Sequence, residues 1–216
     1  VRIAGVDGCR SGWVVVTCDG HQLTDIRVVT TAEELWSLDV DRIAIDIPIG
    51  LPDSGTRACD RIARAALGPR RCSVFPAPCR AVLRAESYDE ALAVSRRVSG
   101  VGLSRQSFNL LPKIRQIDDR ISPADQGRFR ETHPELAFAR LAGGPLPVPK
   151  RHPEGRAIRA SLLRRAGWAL PLRVSGAAPD DLSDAAALAL ATGLGLLKPL
   201  GDGSTDGRGL RMEIWG

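Results

Sequence analysis

Aromatic residues are scarce in this chain: they make up 4% of 216 residues, with a single tyrosine. That argues against a single-strand binder built on rows of stacked bases. The three histidines, His21, His133 and His152, show no metal-ligand spacing. No Cys-x-x-Cys occurs, so a structural zinc site is not expected. The five cysteines are odd in number and scattered, which does not suggest a disulfide framework. Reduced thiols in a cytoplasmic protein are the simplest reading. No apolar stretch reaches ~18 residues, so no membrane span is expected. The opening Val-Arg-Ile-Ala-Gly-Val-Asp reads as a strand, without the apolar run or small-residue cleavage site of a secretory leader. A Walker loop is also missing, since there is no Gly-x-x-x-x-Gly-Lys-Ser/Thr.

What is there suits a globular protein. Hydrophobic residues are 44% and charged residues 25%, and the length allows a sizeable core without staples. The net charge of +5 is unevenly spread. Residues 1–56 are net negative and residues 57–115 strongly positive, so the middle of the chain is suited to a polyanion. The bland alternative is a solvated, arginine-rich surface, because 27 of the 30 basic residues are Arg.

Residues 2–7, 13–18 and 22–29 read as three strands of a meander, joined at the Gly8–Gly12 turn and at Asp19-Gly20. Residues 31–38 read as a short helix behind a Thr cap. Residues 42–47 are almost continuously apolar, the pattern of a central parallel strand. A right-handed crossover sets this fourth strand beside the first, parallel to it, so both end at one edge of the sheet. Further helices are expected at 57–67, 87–98, 105–120, from Pro134, at 154–166 and at 180–198. A fifth strand is expected at 128–133 and a last short one at 210–215.

The acids need an explanation. Asp7 ends one buried strand and Asp46 sits in its neighbour. Two such carboxylates are costly and repel each other unless a hard divalent cation binds between them. The ordinary alternative is that each accepts backbone N–H bonds from the turn that follows. Asp181 and Asp184 share a helix face at i, i+3 spacing; capping accounts for Asp180 and is an alternative for Asp181. Asp184 lies deeper, beside Ala185–Ala187, and is the better ligand candidate. Glu135, in a first helical turn, is a weaker one. Arg10, in the Gly-flanked turn, is placed to hold a phosphate. Arg57, Arg61 and Arg64 read as one basic face of a helix whose apolar face is Ala58, Ile62, Ala65 and Ala66.

Two segments are specific in combination: Gly5-Val6-Asp7-Gly8-Cys9-Arg10-Ser11-Gly12-Trp13 and Ala44-Ile45-Asp46-Ile47-Pro48-Ile49-Gly50-Leu51-Pro52. With Arg57-x-x-Asp60-x-x-x-Arg64, Ser73-Val74-Phe75, Gln106 to Asp118, His133-Pro134-Glu135, Gly155-Arg156 with Arg159, and Asp181-Leu182-Ser183-Asp184-Ala185, the chain resembles the domain of unknown function 429 family, described as predicted nucleases. The resemblance implies one α/β domain over 1–216 with a ribonuclease H-like fold. That fold is a five-stranded mixed sheet of order 3-2-1-4-5, flanked by helices, with a helical insertion at about 54–125. It also implies that Asp7, Asp46, Glu135 and the Asp181/Asp184 pair occupy the acidic positions of the superfamily site.

The expected activity is two-metal hydrolysis of a nucleic-acid phosphodiester. Asp7 would bridge two Mg²⁺ or Mn²⁺ ions, Asp46 would bind one, and Asp184 with Asp181 or Glu135 the other. Arg10 and the Arg57/Arg61/Arg64 face would take flanking phosphates of DNA or RNA. The alternatives are a phosphotransferase or ATPase of the actin and sugar-kinase type, and a non-catalytic module with a structural ion site. In the last, apolar helices serve self-association as a homodimer.

Overall fold

A computed structural model describes residues 1–216. Its centre is a five-stranded sheet of order β3-β2-β1-β4-β5. Strands β1 (Arg2–Cys9), β2 (Gly12–Asp19) and β3 (Gln22–Val29) form the antiparallel meander. The short helix α1 (Glu33–Trp36) crosses over to β4 (Arg42–Ile45), which lies parallel to β1. Strand β5 (Phe129–Glu131) adds in parallel beyond β4. The mixed sheet is thus the ribonuclease H-like one expected. Helix α1 has no side-chain cap; instead Glu34 accepts from the Thr30 and Thr31 backbone N–H groups at 2.9 and 3.0 Å.

Between β4 and β5 run α2 (Ala58–Leu67), α3 (Tyr88–Ser99) and α4 (Arg105–Asp118), with 3₁₀ turns between them. After β5 come α5 (Pro134–Ala142), α6 (Pro153–Arg165) and α7 (Pro179–Gly193). A two-stranded ribbon closes the chain, β6 (Pro199–Leu200) against β7 (Ile214–Trp215). No helix is long and apolar enough to cross a membrane.

Both faces of the sheet are covered. Strand β2 is buried along almost its whole length because its alternate residues serve two cores. Trp13 and Val15 pack with α1, α4 and the insertion; Val14, Val16 and Cys18 pack with α7. Helix α7 is the core helix of the second face, buried from Ala185 to Ala191. Its apolar surface is therefore spent inside the molecule and is not free for self-association.

The packing of α7 on β1 is unusually close. A Cβ on Gly5 would lie 2.0 Å from the Ala185 carbonyl oxygen and 2.4 Å from the Ala189 nitrogen. Only glycine lets the two backbones meet there. The alanines of α7 supply the matching small surface.

Helix α2 differs from its expected pattern. Its buried residues are Cys59, Asp60, Ala63 and Leu67, while Ala65 and Ala66 are exposed. The inward face holds a buried carboxylate, so a division into apolar and polar faces misreads it.

Candidate active site

The register of the parallel strands places the first two acids. Val6 is opposite Ile45, and the Asp46 N–H donates to the Val6 carbonyl at 3.0 Å. The next residue on each strand is then an aspartate beside an aspartate. Asp46 stands one residue past the end of β4 rather than within it. Asp184 arrives on α7, one residue before Ala185, whose backbone meets Gly5 of β1. Asp7, Asp46, Asp181 and Asp184 all line one cleft of about 670 Å³ at this edge of the sheet.

The electrostatics show how crowded the acids are. Burial, then repulsion from Asp46, Asp184 and Asp181, push the Asp7 carboxyl well above the usual carboxylate range. Burial pushes Asp46 up to about 7 and Asp184 to about 6, in each case against the pull of Lys150. No hydrogen bond lowers Asp7 or Asp46, and neither belongs to an ion pair. The ordinary alternative of turn N–H groups satisfying these two carboxylates does not hold. Asp181 behaves differently: its Oδ2 accepts the Ala178 N–H at 3.0 Å, so it caps α7.

Asp7 and Asp46 are hard oxygen donors without a competing partner, which fits Mg²⁺ or Mn²⁺. With the side chains as they stand, no three His, Cys, Asp or Glu close around one point. The third carboxylate, Asp184, is engaged by Lys150, whose Nζ lies 2.5 Å from Oδ2. Burial opposes the charge on Lys150, but Asp184, Asp7 and Asp46 outweigh it and push its pKa up.

Glu135 borders the same cleft but is held by cations. Its Oε1 accepts from Arg159 at 2.5 Å and from Arg70 at 3.3 Å, while Oε2 is buried without a partner. The preceding His133 fixes this turn. Its Nδ1 accepts the Glu135 N–H at 3.2 Å, and its Nε2 lies 3.1 Å from the Ser73 carbonyl. That pattern needs Nδ1 bare and Nε2 protonated, the neutral tautomer, and burial accordingly lowers the His133 pKa.

The expected basic face needs correction. Arg57 is 2% exposed and points inward. It bridges Asp60 (2.6 Å) and Glu131 (2.7 Å), and it donates to the carbonyls of Ile49 and Gly50. A guanidinium committed to two carboxylates and two carbonyls has no donor left for a phosphate. Arg64 is tied to the Val74 carbonyl at 2.6 Å. Arg61 is exposed but does not line the cleft; it lies near Asp202. Arg10 is exposed on the β1–β2 turn, two residues beyond Gly8, and does not line the cleft. Of the four, Arg57 lines the cleft but is spent on its own partners, and Arg10 and Arg61 lie outside the lining.

The cleft has cations that the sequence reading overlooked: Arg70, Lys113, Lys150 and Arg151. Lys113 sits on α4, 4.4 Å from the Trp13 ring centroid, and donates to the Gly12 carbonyl. A signal for two of them was present. The chain has three lysines against 27 arginines, and two of the three line this cleft. An ammonium is a compact point charge on a flexible stem, unlike the planar guanidinium fork of the other cleft cations.

Comparison with known protein families matches residues 5–194 to a model described as "Protein of unknown function (DUF429)". No curated protein and no solved structure matches the chain.

Proposed function

The chain belongs to the DUF429 family of proteins of unknown function, and from the site it carries we propose that it is a metal-dependent nuclease hydrolysing nucleic-acid phosphodiester bonds. The observation behind this reading is the pair Asp7 and Asp46, side by side at the ends of parallel strands, with no hydrogen bond or ion pair from the protein and only the more distant pull of Lys150. Two carboxylates sharing a site repel each other when both are ionised, and a proton or a cation between them relieves that repulsion.

Asp7 and Asp46, with Asp184 beside them, are the residues that would hold Mg²⁺ or Mn²⁺. When bound, the ion supplies Lewis-acid polarisation of the phosphate and a lowered pKa for an attacking water. The protein's own part is to fix the three carboxylates on rigid elements, so that little reorganisation remains at the moment of reaction. Water oxygen forms a new bond to phosphorus, one ester P–O bond breaks, and the water proton is passed on as the leaving oxygen gains one. Lys150, Lys113 and Arg151 carry positive charge along the cleft, and Arg10 extends it onto the β1–β2 turn. These side chains suit the phosphates on either side of the scissile one, which position a strand without reading its sequence.

The test is incubation of purified protein with labelled single-stranded, duplex and branched DNA and RNA, in Mg²⁺ or Mn²⁺. Cleavage is expected in the wild type and lost by at least ~100-fold in Asp7→Asn, the scale on which removing one charge-stabilising group acts. Cleavage that survives Asp7→Asn overturns the assignment. Binding should weaken steeply with salt. Release of phosphate from a nucleoside triphosphate, with every nucleic acid left intact, favours phosphotransfer instead.

A further inference from the structure

We propose that Lys150 is the second cation of this site, so that the site takes one divalent ion rather than two. This inference rests on the proposed metal-dependent reading and specifies its stoichiometry.

Lys150 is not a passing surface lysine. Its Nζ lies 2.5 Å from Asp184 Oδ2, and the side chain is part of the cleft wall together with Asp7 and Asp46. The backbone that carries it is clamped from α6. Gly155 lies so close that a Cβ there would meet the Pro149 carbonyl oxygen at 2.1 Å. Arg156 donates to the carbonyls of Lys150 and Arg151 at 3.3 and 3.0 Å. Arg159, itself 2% exposed, donates to the Val148 carbonyl at 3.1 Å and reaches Glu135. Gly155, Arg156 and Arg159 form a motif that the proposed chemistry leaves without a role. The structure gives it one: all three hold the segment 148–151 at the cleft, with Lys150 at its tip. They are positioning residues.

Charge balance points the same way. Asp7, Asp46, Asp184 and Asp181 carry four negative charges when ionised; the ammoniums of Lys150 and Lys113 and one divalent ion neutralise them. Glu135 does not enter this balance, because Arg159 and Arg70 already hold it. A second divalent ion would leave two positive charges in excess before any phosphate arrived. It would also have to displace Lys150 from Asp184. With the ammonium in place, Asp184 is held for the phosphate side of the cleft by a group that needs no ion uptake. The ammonium's remaining donors are free for a non-bridging phosphate oxygen.

The experiment is a count of Mn²⁺ ions per chain by electron paramagnetic resonance titration, on the whole protein without nucleic acid, for wild type, Lys150→Gln and Lys150→Arg. Lys150 is half-exposed, and thermal melts run alongside confirm that the variants are folded. The expected counts are one for wild type, two for Lys150→Gln and one for Lys150→Arg, which keeps the charge. Two ions on the wild type overturn the proposal while leaving the metal-dependent reading intact. A count of one on folded Lys150→Gln overturns it as well. Two on Lys150→Arg does the same, because charge would then not be what excludes the second ion. No ion on any of the three overturns the metal-dependent reading itself, and this inference with it.

Discussion

Replacing Asp46 with asparagine should stabilise the metal-free protein, by a margin that grows as pH rises from about 4 through about 7. Burial moves the Asp46 pKa from 3.8 to about 7. At full ionisation that displacement corresponds to about 4 kcal/mol. The cleft opens to water, which screens part of the charge, so a working figure is about 2 kcal/mol. The sign follows from linkage. A folded-state pKa raised above the unfolded one contributes stability that is fully present below about pH 4 and is lost as pH rises through about 7. Asparagine cannot ionise and escapes that loss. It gives up the attraction of the ionised carboxylate to Lys150, which the net upward shift already includes, and no hydrogen bond from the protein. In a domain of this size 1 kcal/mol moves Tm by about 2–4 °C. Asp46→Asn should therefore melt about 4–8 °C above wild type at pH 8 in EDTA, with the gap closing toward pH 4. Millimolar Mg²⁺ should narrow the gap at pH 8 by stabilising the wild type alone. A variant that melts below wild type by the same margin at pH 5 and pH 8 would refute the reasoning, since Asp46 would then be making a structural contact.

Other perturbations separate the scaffold from the site. Gly5→Ala drives a methyl group into the backbone of α7 and should cost about 3 kcal/mol or more; a Tm within 2 °C of wild type would contradict the described contact between β1 and α7. Arg57→Ala leaves Glu131 and Asp60 buried without their cation and should cost about 3–5 kcal/mol in denaturant unfolding. Arg10→Ala should leave stability within about 0.5 kcal/mol. On the proposed substrate it should lower the salt slope of binding by about 1, as one lost phosphate contact does; an unchanged slope removes Arg10 from the interface.

Much of the sheet was legible because its signals are local. The β-branched run after Gly12 and the apolar run before Asp46 each announce a strand, and chain order then fixes which strands pair. Asp7 and Asp46 stood out for the same reason: a carboxylate next to an otherwise apolar strand has no local excuse. What stayed hidden depends on partners far along the chain. Arg57 looked like a surface cation because its partner Glu131 lies 74 residues away. The ribbon pairing Leu200 with Ile214 is too short for any periodicity. Lys150 sits in a proline-rich connection where no pattern of faces exists, and its role shows only when α6 is seen to grip its backbone. Asp181 and Asp184 share a helix face, yet one caps the helix while the other is buried beside a lysine. Spacing alone does not separate the two.

The central claim is that Asp7 and Asp46 share a divalent cation beside the Asp184–Lys150 pair. The most direct test is diffraction from crystals soaked in Mn²⁺, with data at the manganese edge. The account predicts one anomalous peak within coordination distance, about 2.0–2.5 Å, of both Asp7 and Asp46, with Lys150 still on Asp184. An unoccupied edge at saturating Mn²⁺, with both carboxylates bonded only to protein or water, would contradict it.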